Sequence, residues 1–134
     1  DDVFNVPNRY ELVSLETRSG TGLEPWAKAT VRVDGKARTC EGTGNGPVNA
    51  LVQALKECTS NTEVQMDEYH IDALSTGSDA QGKVSIAISG DGITSRGQAT
   101  DIDVVIASGK AFIAALNHRA YQLEITKLSA AANA

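Results

Sequence analysis

The chain reads as an α+β protein: two pseudo-symmetric β-β-β-α units of antiparallel strands, with a helix packed on each sheet. Three observations point to this. The sequence repeats itself approximately. Asp34-Gly35 returns as Asp91-Gly92, 91 minus 34 or 57 residues on, Gly20 returns as Gly77, and a helix start near Pro47 returns near Val104. Alternating apolar residues precede each helix, the period-two mark of half-buried strands. Asp-Gly then joins two alternating segments in each copy, a signal for a tight antiparallel hairpin. A duplicated unit cannot easily bury its apolar face alone, so the copies should pack on one another. The expected organisation is one domain over 1–134, with a first unit at 9–59 and a second at 63–128.

In chain order, residues 10–18 have strand character, with Tyr10, Leu12, Val13 and Leu15 among polar residues. Residues 19–25 read as a Gly-rich connection. Ala27, Ala29, Val31 and Val33 share one face of a strand, Asp34-Gly35 turns it, and residues 36–41 return. The stretch 42–46 holds three glycines, and Pro47 opens a helix, where its missing N–H is harmless. Val48, Leu51, Val52 and Leu55 give that helix an i, i+3, i+4, i+7 stripe. The second copy repeats the plan. Residues 64–74 form a strand, with Tyr69, Ile71 and Ala73 on one face, and 76–82 a loop. Val84, Ile86 and Ile88 alternate, Asp91-Gly92 turns, and 93–99 return. A helix over 103–117 carries one interior charge, Lys110, and is otherwise apolar almost all round. Such a helix needs cover on more than one side, and a second subunit is the simplest source. The Ala-rich tail from Ser129 has no pattern and should fray.

Composition narrows the function. Of 134 residues, 41% are hydrophobic and 22% charged, which suits a globular domain. Aromatics make up 4%, so small and β-branched residues must fill the core. A net charge of −5 argues against non-specific nucleic-acid binding. There is no apolar run long enough for a membrane span, and no signal-peptide pattern. Cys40 and Cys58 lack the spacing of a metal knuckle or redox motif; they read as buried thiols, which fits a reducing cytoplasm. His70 and His118 sit in no metal-binding motif. No nucleophile–base arrangement supports catalysis.

The two helix starts are the sharpest chemical features. The first, Gly44-Asn45-Gly46-Pro47-Val48, offers backbone N–H groups and a partial positive charge suited to an anion. Its glycines equally suit a plain strand-to-helix turn. No Lys-Ser or Lys-Thr follows them, so a phosphate loop is disfavoured. The second start, Thr100-Asp101-Ile102-Asp103-Val104, offers carboxylates. Asp103 either caps its own helix or meets a ligand's ammonium. Together the starts match an α-amino acid, with Val48, Tyr69, Ile71, Val104 and Ile106 as apolar walls.

Several stretches resemble a known domain type. Gly42-Thr43-Gly44-Asn45-Gly46-Pro47-Val48-Asn49-Ala50, Asp67-Glu68-Tyr69-His70-Ile71-Asp72-Ala73-Leu74 with Gly77-Ser78-Asp79-Ala80-Gln81-Gly82-Lys83-Val84, and Asp103-Val104-Val105-Ile106-Ala107-Ser108-Gly109-Lys110-Ala111-Phe112 resemble the C-terminal regulatory domain of 2-isopropylmalate synthases. The likeness runs from about Asn8 to Leu128. It implies a non-catalytic, homodimeric domain that follows a catalytic TIM barrel in a longer acyltransferase of leucine biosynthesis. The Asp at position 1 fits a piece of such a polypeptide. It further implies feedback inhibition by leucine bound between the two units, at Gly44, Asn45, Gly46, Pro47, Val48, Tyr69, Asp103, Val104, Ile106 and Ala107. No cofactor is expected here; the barrel would use a divalent metal and acetyl-CoA. The related citramalate synthase domains imply isoleucine as an alternative, and a purely structural dimerisation module is another. Two residues depart from the family pattern. Glu68 separates Asp67 from Tyr69, and Gly109 stands where Ala is usual, softening the helix by roughly 1 kcal/mol or marking close packing.

Overall fold

The computed structural model describes residues 8–74 and 80–132. In order, the elements are β1 (Tyr10–Gly20), β2 (Leu23–Val33), β3 (Lys36–Thr43), α1 (Pro47–Thr59), β4 (Gln65–Ala73), β5 (Gly82–Gly90), β6 (Ile93–Asp101) and α2 (Val104–Ala132). The strands form two antiparallel three-stranded sheets, β1-β2-β3 and β4-β5-β6. The β-β-β-α plan is therefore present twice. Asp34-Gly35 and Asp91-Gly92 all have positive φ, the conformation a two-residue hairpin needs.

The offset of 57 holds for the later elements of each unit: Pro47 and Val104 each open a helix. The first strands obey a different offset. Leu12 pairs with Val31 and Met66 with Ile88, while Leu15 pairs with Ala29 and Tyr69 with Ile86. Both correspondences give 54 residues (66 minus 12, 69 minus 15), and both strands carry a register shift at the same place, between Leu12 and Ser14 and between Met66 and Glu68. Gly77, matched to Gly20 by the sequence repeat, lies outside the described residues together with most of the expected 76–82 loop.

Several boundaries differ from the sequence expectation. The Gly-rich connection at 19–25 shrinks to a turn at Thr21-Gly22, because Pro25 is tolerated near the start of β2, beyond the last pair with β3 at Trp26. β3 runs on through Gly42 and Thr43. The second helix passes Asn117 and the Ala-rich tail remains helical to Ala132. Alanine needs no packing to favour a helix, so the missing periodicity there did not mark an end.

The core forms where the inner sheet faces meet the helices. Ala27, Ala29, Val31, Val84, Ile86 and Ile88 are buried beneath Ala50, Leu51, Ala54, Leu55, Ala107, Ala111, Phe112 and Leu116. Small residues let the helices lie almost on the strand backbones. A Cβ at Gly42 would sit 2.6 Å from Ala50 O and Ala54 N, and one at Gly97 would sit 2.3 Å from Ala111 O and Ala115 N. α2 packs on β5 and β6, and also on α1 and β1. The apolar circumference of its first four turns is therefore covered largely by its own chain, and does not in itself require a second subunit.

Candidate ligand site at the helix starts

The helices run side by side in one direction. Leu51 lies against Gly109, where its Cδ2 is 3.3 Å from a Cβ position, while Thr59, Ser60 and Asn61 share a cleft with Leu116, Arg119 and Leu123 farther along. Both N-termini accordingly lie at the same end of the molecule.

At the first start, Gly46 is the N-cap and has no side-chain cap. Its φ of −171° is extended backbone, open to any residue. Among the described residues, no group accepts from the N–H groups of Gly46, Val48 or Asn49; the first helical bond is Ala50 N to Gly46 O. The loop is braced from inside. Asn45 N–H donates to Asn49 Oδ1 at 3.2 Å, and Gly44 N–H donates to Pro25 O at 3.3 Å. None of Gly42, Gly44 and Gly46 has a positive φ, so the turn itself does not demand glycine. Gly42 makes room for the α1 backbone. Gly44 makes room for Asn49, whose Oδ1 is 2.1 Å from a Cβ position there. Only Gly46 opens onto free space. Pro47 and Val48 are half-buried beside it.

The second start is closed differently. Asp103 Oδ1 accepts from Val105 N–H at 2.8 Å and Ile106 N–H at 3.2 Å, the geometry of an N-cap. Asp101 Oδ1 accepts from Asp103 N–H at 2.9 Å, and its Oδ2 pairs with Lys110 Nζ at 3.1 Å. The Asp103 N–H bond, then Lys110, hold the Asp101 carboxyl below its ordinary value. Tyr69 reaches this start from β4: its hydroxyl lies 2.7 Å from Ser108 Oγ, which donates to Val104 O at 2.7 Å. Val104 and Ile71 approach one another over Gly82. Ala107 is fully buried, whereas Val104 and Ile106 are half-buried and Asp103 is exposed.

The expected residues therefore fall into two groups, Gly44 to Val48 at one start and Tyr69, Asp103, Val104, Ile106 and Ala107 at the other. Two clefts among the described residues lie elsewhere. One of about 770 Å³ runs between β1, β6 and α2, past Leu12, Arg96, Lys110 and Ile113. Another of about 350 Å³ lies at the opposite end of the helices. Ser108 escaped the sequence reading because it sits on an apolar face. Its i−4 spacing to Val104 was the available signal, since a helical hydroxyl at that spacing bonds back to the carbonyl.

Comparison with known proteins bears on this arrangement. The chain is 46% identical over 109 residues to 2-isopropylmalate synthase of Burkholderia ambifaria, and 45% identical over 109 residues to that of Burkholderia multivorans. It is 42% identical over 108 residues to the enzyme of Cupriavidus pinatubonensis. Each match covers 81% of this chain and 21% of the relative, so the chain spans about a fifth of their length. The profile of the LeuA allosteric (dimerisation) domain matches residues 1–120. With two β-β-β-α units and this match over most of its length, the chain belongs to the LeuA allosteric (dimerisation) domain family.

Proposed function

We propose that this chain is the feedback-sensing part of a 2-isopropylmalate synthase and binds leucine at the paired helix starts. The observation that carries the reading is the uncapped start of α1, with three N–H donors unclaimed and Gly46 open beside them. A ligand carboxylate would complete that start. Its ammonium would face Asp103 and its branched side chain Val48, Tyr69, Val104 and Ile106. In this reading Asp103 keeps one oxygen on its own helix and turns the other toward the ligand. The parent polypeptide is a cytoplasmic homodimer whose TIM barrel, with its metal and acetyl-CoA, transfers the acyl group; leucine here lowers that activity through a coupling free energy between the sites.

Titration calorimetry with leucine and isoleucine tests the reading. Heat with leucine, and weaker heat with isoleucine, supports it. The reverse order assigns the domain to the citramalate synthase type, and no heat with either at saturating concentrations overturns ligand binding. A second reading, a dimerisation module without a ligand, is favoured by Asp103 already capping its own helix. Sedimentation showing a dimer that neither amino acid stabilises would select it.

A further inference from the structure

We propose that Cys40 and Cys58, the two cysteines of the chain, form an oxidisable pair that closes to an intramolecular disulfide clamping α1 onto β3. Cys58 Sγ lies 3.5 Å from Ala29 O and 3.5 Å from Arg38 O. Ala29 pairs directly with Cys40 in the ladder, and Arg38 is two residues before Cys40 on the same strand. Cys58 thus sits over the rung that holds Cys40. Bridging them calls for a sulfur approach between a strand and the helix packed on it, not for a rearranged fold.

The second unit shows why the pair fits only here. Gly97 pairs with Ile86 as Cys40 pairs with Ala29. At Gly97 the α2 backbone leaves no room for a Cβ, whereas α1 makes its close approach at Gly42. Shifting the crossing point by two strand residues leaves space at Cys40 for two sulfurs.

The oxidant is a hydroperoxide. Cys40 is half-buried and Cys58 fully buried, so Cys40 meets it first. Cys40 loses its proton, its sulfur attacks a peroxide oxygen and the O–O bond breaks; a sulfenic acid forms, and with hydrogen peroxide the departing hydroxide takes up that proton and leaves as water. Cys58 then loses its proton and attacks the Cys40 sulfur. The S–S bond forms, the S–O bond breaks, and a second water leaves. Two thiols are oxidised and one peroxide is reduced. Burial, then the Cys40 side chain, pushes the Cys58 thiol up to about 12, so the second step is slow near neutral pH and quickens as pH rises. The closed loop contains Gly44 to Val48, so the clamp restrains the segment that carries the α1 start.

The test is hydrogen peroxide treatment of the full chain, followed by intact-mass measurement, peptide mapping and thermal unfolding. The expected product has lost two hydrogens, links the Cys40 and Cys58 peptides, and unfolds several degrees higher; dithiothreitol reverses all three changes. In Cys58→Ser, Cys40 should instead be trapped by dimedone as the sulfenic acid. Oxygen addition to the parent without hydrogen loss, a link between two chains only, or unchanged thiols would each overturn the pair.

Discussion

At the scale of single residues, the open glycine and a buried amide decide the most. Gly46→Asp meets no steric obstacle, because nothing lies within 4 Å of a Cβ there. It supplies the missing N-cap, worth a few tenths of a kcal/mol over glycine. The same carboxylate occupies the donors that the ligand would use. Leucine affinity should therefore fall by an order of magnitude or more while urea unfolding shows equal or slightly higher stability. Unchanged affinity would move the site away from this turn. Asn117 has a structural task that its sequence position conceals. It accepts from Tyr10 N–H and donates to Tyr10 O, both at 2.9 Å, so one side chain replaces a neighbouring strand at the edge of β1. Asn117→Ala leaves two buried backbone groups unpaired and should cost about 2–3 kcal/mol in denaturant unfolding.

At the scale of elements, helix-on-strand contact sets the tolerances. Gly97→Ala drives a methyl into backbone atoms of α2 that cannot step aside, and should destabilise by more than about 2 kcal/mol. Gly109→Ala meets only the tips of Leu15, Leu12 and Leu51, the nearest 2.9 Å away. Its helix-propensity gain of about 1 kcal/mol offsets that crowding, so it should be near neutral. Melting the two variants side by side checks the contrast. The α2 start also carries a pH signature. The folded state holds Asp101 below its ordinary carboxyl value, so the contribution is present above that value. It is lost as pH falls through the depressed one. Asp101→Asn should lower the unfolding midpoint at neutral pH, and the gap to the parent should close in acid.

At the scale of the whole molecule, leucine binding to the folded state alone should raise the unfolding temperature in proportion to the logarithm of ligand concentration above Kd. A flat response up to saturating leucine would favour the module without a ligand. Much of this organisation was legible in the sequence, since turns and helix starts are local chemistry: Asp34-Gly35, Asp91-Gly92 and Pro47 act wherever they stand. What stayed hidden was relational. Gly42 and Gly44 looked like turn residues, yet they serve the approach of α1 and Asn49. Asn117 looked like the end of a helix, yet it is buried within one, as is Arg119 beyond it, whose Nη1 donates to Gly90 O at 2.8 Å. The common direction of the two helices, on which the site reading rests, follows from tertiary packing that no local pattern encodes.

That shared direction sets the electrical character of the domain. Two macrodipoles lying abreast bring their positive poles to one end, where they repel. Asp103 caps one pole from within the chain, whereas among the described residues no side chain caps the other and its first turn carries no acidic residue. If leucine binds at that start as proposed, chloride or sulfate should compete with its carboxylate, and calorimetry should show its apparent affinity weakening as their concentration rises.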